Sequence, residues 1–170
     1  MSTATDLLVD GFNRVKETVH AVLDAASQDD LGYRADAEAN SPAWLIWHLT
    51  RVQDDHVSEL AGAEQTWTAD GWADRFALPL QPEATGYGHG ADEVAALGSA
   101  TAEHLGGYYD AVHERTMTYL ATLADSDFAR IVDTNWDPPV TLAVRVVSVI
   151  NDDTQHVGQA AYALGLAQRR

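Results

Sequence analysis

Asp152 and His156 stand four residues apart in VVSVINDDTQHVGQAAYALG, which runs from Val146 to Gly165. On a helix that spacing puts both side chains on one face, offset by ~6 Å along the axis. Val149, Ala160 and Ala163 continue the stripe, so the pattern turns an acid and an imidazole towards the core. An ionised carboxylate buried alone costs several kcal/mol, and a lone buried imidazole is also unfavourable. Each therefore needs a partner. A third candidate comes from SPAWLIWHLTRVQDDHVSEL, where His48 shares a helix face with Leu45, Val52 and Asp55.

Two readings follow. In one, Asp152 and His156 form an ion pair along their helix and His48 is a satisfied core histidine. In the other, a first-row metal with bonds of ~2 Å bridges Asp152 and His156 and takes His48 as third ligand. Two imidazoles and a carboxylate leave a vacant position, the arrangement of a catalytic site and not of a closed structural one. Spacing alone leaves both readings open.

Other side chains are weaker candidates. Gln159, one turn after His156, serves hydrogen bonding or packing, and Gly158 permits close helix approach. Asp55 is either a partner of His48 or substrate, or a solvated acid at the bundle mouth. Arg51 and Arg145 are read first as surface ion-pairing residues and second as anchors for a carboxylate-bearing substrate. His56, His104 and His113 are expected on partly exposed helix faces. His89, in the glycine-rich GYGHGAD, is placed to cap the third helix or visit the pocket, and Trp44 and Trp47 flank His48 as packing residues.

Four helices position these residues. Leu8, Phe12, Val15, Val19 and Val22 recur every three or four residues, predicting a helix from Thr5 to Ala26. SQDDLGYRADAEAN is polar and reads as a loop. The second helix starts at Ser41, with Pro42 in its first turn, and stops at Gly62. Residues from Ala63 to Gly90 form the longest irregular stretch, and its tryptophans favour packing over disorder. A third helix from Ala91 to Leu123 is expected, with an interruption near Gly106–Gly107. Pro138 and Pro139 hold back the fourth, from Thr141 to Leu166. No strand alternation and no repeat is present, which gives an all-α four-helix bundle in a single domain over residues 1–170.

Composition narrows the function. With 26 acidic and 10 basic residues the net charge is −16, which disfavours nucleic acid and anionic membranes as partners. The chain has no cysteine, so it supplies no disulfide, thiolate ligand or cysteine nucleophile. No apolar run reaches the ~20 residues needed to cross a bilayer. MSTATDLLVDGFNRVK lacks the basic start and apolar run of a signal peptide, so a cytoplasmic location is expected.

SPAWLIWHL on the second helix and DDTQHVGQAAYALG on the fourth resemble the DinB-like four-helix superfamily. More narrowly they resemble its actinobacterial branch of mycothiol-dependent maleylpyruvate isomerases and thiol S-transferases. The resemblance spans essentially the whole chain, WDPPVTLAVRVVSVINDD included. It implies an up-down-down-up bundle with a long crossover between helices two and three, in which the aromatic segment Trp67–Leu78 walls a pocket. It also implies a divalent metal at His48, Asp152 and His156, with zinc expected first and nickel, iron or manganese compatible. Asp152 departs from the His or Glu that relatives carry there, so the metal must approach the helix more closely or bind through water.

Such a site with one carboxylate carries a formal +1 and suits an incoming thiolate. Without cysteine, that thiolate must come from an external low-molecular-weight thiol, mycothiol in the relatives, attacking an electrophilic substrate. A metal-dependent thiol transferase or isomerase is therefore the leading expectation. A non-catalytic metal- or ligand-binding accessory bundle and a metal-assisted hydrolase are the alternatives. The superfamily also makes a homodimer one expected assembly.

Overall fold

Side-chain caps set the starts of three of the four long helices. The computed structural model describes residues 3–170, and helix α1 spans Thr3–Ala25. The expected loop after it holds a short α2, Gln28–Leu31, opened by Ser27, whose Oγ accepts from the Asp30 backbone N–H. Helix α3 spans Pro42–Ala61. The Ser41 hydroxyl accepts from Trp44 N–H, Pro42 fills a position that needs no donor, and Gly62 ends the helix at φ 63°. The crossover then carries α4 (Thr66–Ala69), α5 (Trp72–Phe76) and α6 (Ala91–Ala96) before α7, Ala102–Ala121. Helix α8, Leu142–Ala167, is capped by the Thr141 hydroxyl.

Named contacts give the directions. Helices α1 and α8 run parallel, with Gly11 against Ile150 and Gln168 bonded to the Ala25 carbonyl. Helix α3 runs against α8, with His48 beside His156 and Arg145 beside His56. Helix α7 runs against α1, with His113 at Asn13 and Gly106 at Leu23. It runs with α3, pairing Tyr108 with Arg51 and Arg115 with the Glu64 carbonyl. The bundle is all-α and up-down-down-up, as expected.

Helix α3 is the centre of the molecule: every residue from Pro42 to Asp54 is buried. A helix apolar around most of its circumference belongs inside a bundle, and SPAWLIWHL fits that description. One core cluster packs Trp47, Trp67, Phe76 and Tyr108 against α3, and a second packs Phe12, Leu120, Leu142, Val146 and Val149 at the other end.

Two expectations are corrected. The third helix breaks at a 3-10 turn, Leu97–Ser99, and restarts where Thr101 Oγ1 accepts from His104 N–H, not at the glycine pair. Gly106 and Gly107 lie inside α7, and a Cβ on Gly107 would stand 2.6 Å from the Trp72 ring. The pair therefore admits neighbouring side chains. A small antiparallel pairing of β1 (Ile131–Asp133) with β2 (Val140–Thr141) was not expected. Strands of three and two residues are too short for an alternation pattern to show.

Candidate metal centre

The antiparallel crossing of α3 and α8 brings His48, Asp152 and His156 together, each offering a ligand atom within 4.8 Å of the others. His48 is buried, whereas the Asp152 and His156 side chains keep 26% and 21% of their surface exposed. This corrects the expected core stripe. The buried face of α8 runs Leu142, Val146, Val149, Asp153, Val157, Ala160, Leu164, and Asp152 and His156 ride on its shoulder. Steps of three or four from Val149 reach either aspartate, and the packing selects Asp153. The triad thus lies where the core meets solvent, open on one side.

Hydrogen bonds fix which ring atoms are free. The His48 Nδ1–H donates to the Thr85 carbonyl, and the His156 Nδ1–H donates to Gln159 Oε1 at 2.8 Å. Each imidazole therefore presents Nε2 with its lone pair, the tautomer that metal-binding histidines adopt when the other nitrogen is held. Asp152 Oδ1 lies 3.6 Å from His156 Nε2, beyond hydrogen-bond length, and Asp152 Oδ2 is buried with no partner among the described residues. The ion-pair reading needs a proton on His156 Nε2 as well, and at 3.6 Å from Asp152 Oδ1 that nitrogen makes no hydrogen bond to it. Three lone-pair donors and an orphaned carboxylate oxygen fit a divalent cation. Burial pushes the His48 pKa down, opposed by its bond to Thr85, which favours the neutral ring that ligation needs.

The wall over the centre comes from residues 84–89, not from Trp67–Leu78. Trp44, His48 and Arg51, at successive turns of α3, each donate one hydrogen bond to this segment. Trp44 Nε1–H reaches His89 Nδ1 at 3.1 Å, His48 reaches Thr85, and Arg51 Nε–H reaches the Ala84 carbonyl at 3.0 Å. Trp44 also stacks on His48 at 4.6 Å, and His89 stacks on Trp47 at 5.7 Å. Gly86 adopts φ 107°, and any Cβ there would overlap His48 Nδ1. Tyr87 stands edge-on to His48 at 5.3 Å, its phenol pKa raised by burial and then by the Asp152 charge. The expected wall packs inward instead, with Trp67 against Phe76 and Tyr108 at 5.2 and 5.1 Å.

Several secondary expectations change. Arg51 is fully buried and not a surface ion-pairing residue. Its guanidinium bonds Gln65 Oε1 and the Tyr108 hydroxyl and lies 3.7 Å from Asp54. Arg145 does ion-pair, with Asp133 of β1 at 2.8 Å. Asp55 accepts from Gln65 Nε2 at 2.6 Å and makes no bond to His48. His113 is buried, not partly exposed, and bonds Asn13. His89 braces Trp44 and does not cap α6, whose N-cap is Gly90. Gly158 has no heavy atom near its Cβ position, so it mediates no close approach. Asp153 was missed: it is wholly buried with both carboxylate oxygens unpartnered, and burial holds its pKa well above the usual range. A surface groove of about 1010 Å³ lies between the end of α3 and α7 and contains none of the three candidate ligands.

Fold and site together define a helical bundle with a three-donor centre between its second and fourth long helices. The family model of the DinB superfamily matches residues 12–160, and the chain belongs to that superfamily, in which metal binding is common. Among solved structures it is similar to the conserved protein of a locus from Enterococcus faecalis. The two are 30% identical with a TM-score of 0.92, over 100% of this chain and 99% of that one. No curated protein matches. Among the described residues, no helix is long and apolar enough to cross a membrane.

Proposed function

We propose that the chain is a divalent-metal-dependent transferase or isomerase that activates an external, mycothiol-type thiol at His48, Asp152 and His156. One observation carries the metal half: both imidazoles have Nδ1 engaged, leaving Nε2 for a shared site beside an unpartnered Asp152 oxygen. The thiol half rests on the resemblance of SPAWLIWHL and DDTQHVGQAAYALG to the thiol-transferase branch. It rests also on the absence of cysteine, which requires sulfur from outside. Bound metal would supply Lewis acidity that lowers the pKa of a coordinated thiol.

The chain's own groups do the rest. Thr85 and Gln159 hold the two imidazoles in the tautomer that leaves Nε2 free, and Trp44 braces the His48 ring from behind. The exposed shoulder of α8 leaves an entrance for thiol and electrophile. A direct test is conjugation of mycothiol or N-acetylcysteine to a dinitrophenyl halide, after loading with zinc, nickel, iron or manganese. Saturable conjugation that needs both metal and thiol, and is lost in His48→Ala, is expected. Ester cleavage without thiol favours the hydrolase. Stoichiometric metal uptake with neither reaction favours the non-catalytic accessory protein.

A further inference from the structure

We infer that Tyr87 is the ligand-contacting donor of this centre: its phenol O–H hydrogen-bonds a thiolate or other small anion held at the open side of His48, Asp152 and His156. The inference rests on the metal reading above. The Tyr87 ring meets the His48 ring edge-on, with centroids 5.3 Å apart and planes at 88°. The phenol is thereby beside a ligand imidazole while Tyr87 itself remains 67% exposed. Its hydroxyl has no hydrogen-bond partner among the described residues. A large aromatic in that state contributes little to the core, so its position calls for another explanation.

The backbone presents Tyr87 firmly. Gly86 and Gly88 take φ 107° and 75°, and His89 N–H closes the turn on the Gly86 carbonyl at 3.2 Å. Thr85 and His89 are both bonded to α3, so the turn is fastened on either side of the tyrosine. Of the neighbouring donors, Arg145 serves His56 through Nη1 and Asp133 through Nη2, and Gln65 serves Asp55. Arg145 Nε–H lacks a partner but is buried. Tyr87 is the exposed donor of the group and carries no such commitment. An anionic ligand atom keeps lone pairs directed away from the metal, and a neutral donor can meet one without adding charge.

The test uses the cobalt(II)-loaded protein, whose visible spectrum reports coordination, titrated with N-acetylcysteine and separately with azide. Wild type, Tyr87→Phe and Tyr87→Ala are expected to take up cobalt with affinities within about twofold of one another. Both variants are expected to bind either probe about tenfold more weakly, as for loss of a hydrogen bond to a charged group. Equal probe binding by Tyr87→Phe and wild type would overturn the inference, as would a defect confined to Tyr87→Ala, which would assign the effect to the ring. Cobalt affinity lost in Tyr87→Phe would also overturn it, since the tyrosine would then be part of the scaffold. Wild-type protein that takes up no cobalt would overturn the metal reading and this inference together.

Discussion

His48 and Arg51 lie three residues apart on the same buried helix, yet their surroundings differ in kind. Around Arg51 the polar groups close on one another. Asp54 accepts from Tyr108 O–H, from Thr66 and Trp67 N–H at the start of α4, and from the Ser58 hydroxyl, while Arg51 bonds Gln65, Tyr108 and Ala84. Trp67 adds a cation–π contact at 5.0 Å. Around His48 three possible ligand atoms lie within 4.8 Å of one another, and Asp152 Oδ2 has no partner among the described residues. The first arrangement makes its many bonds within the protein and fastens the crossover to the bundle, leaving only Arg51 Nη2, Thr66 Oγ1 and Trp67 Nε1 without a partner among the described residues. The second leaves acceptors that a cation would complete under the proposed reading. Buried polar groups that satisfy one another mark scaffold, and those that converge unsatisfied mark a site.

That contrast breaks most visibly at Asp54. Asp54→Ala removes the charge facing buried Arg51 and orphans two backbone donors, and is expected to cost about 3–5 kcal/mol in urea unfolding. Removing a metal ligand should cost the apoprotein far less.

Outside both regions, His113 should set an acid sensitivity. His113 donates from Nε2 to Asn13 while its Nδ1 is buried without a partner, and burial lowers its pKa to about 4. The unfolded chain protonates this ring near the ordinary histidine value of 6.5, so the unfolded state binds more protons between the two values. The His113 contribution is therefore full above pH 6.5 and falls by about 3 kcal/mol as pH drops to and below 4. His113→Gln should flatten that slope in pH-dependent unfolding.

Gly86→Ala sharpens the other side of the comparison. Its Cβ would overlap His48 Nδ1 and force the ring off Thr85, so metal affinity should fall by about 10–100-fold. The unfavourable positive φ adds a stability cost of about 1–2 kcal/mol. Competition with a chromophoric chelator measures the first effect, and thermal melting of the apoprotein the second.

Much of the scaffold was legible because its signals are local. Ser41–Pro42, Gly62 and Thr141 mark helix ends by capping chemistry that needs nothing distant, and the periodicity of α1 reports burial directly. The two candidate ligand histidines and Asp152 were legible as spacing. Their position on the shoulder was not, because Asp152 and Asp153 are adjacent and a 3.6-residue period admits both. Arg51 and His113 were misplaced for a related reason. Whether a charged or polar side chain is buried depends on partners such as Tyr108, Gln65 and Asn13, which arrive from other parts of the chain. The 84–89 wall depends on contacts 33 to 45 residues apart in sequence, beyond any periodicity.

The central claim is that the converging groups form a metal site and the closed groups do not. Metal content by mass spectrometry, after loading with several divalent metals, tests it on wild type beside His48→Ala, His156→Ala and Asp54→Asn. The account predicts about one metal per wild-type chain, little in either histidine variant despite intact helical circular dichroism, and full content in the folded fraction of Asp54→Asn. Absence of metal from wild type under every loading condition would contradict it, as would full occupancy in folded His48→Ala or His156→Ala.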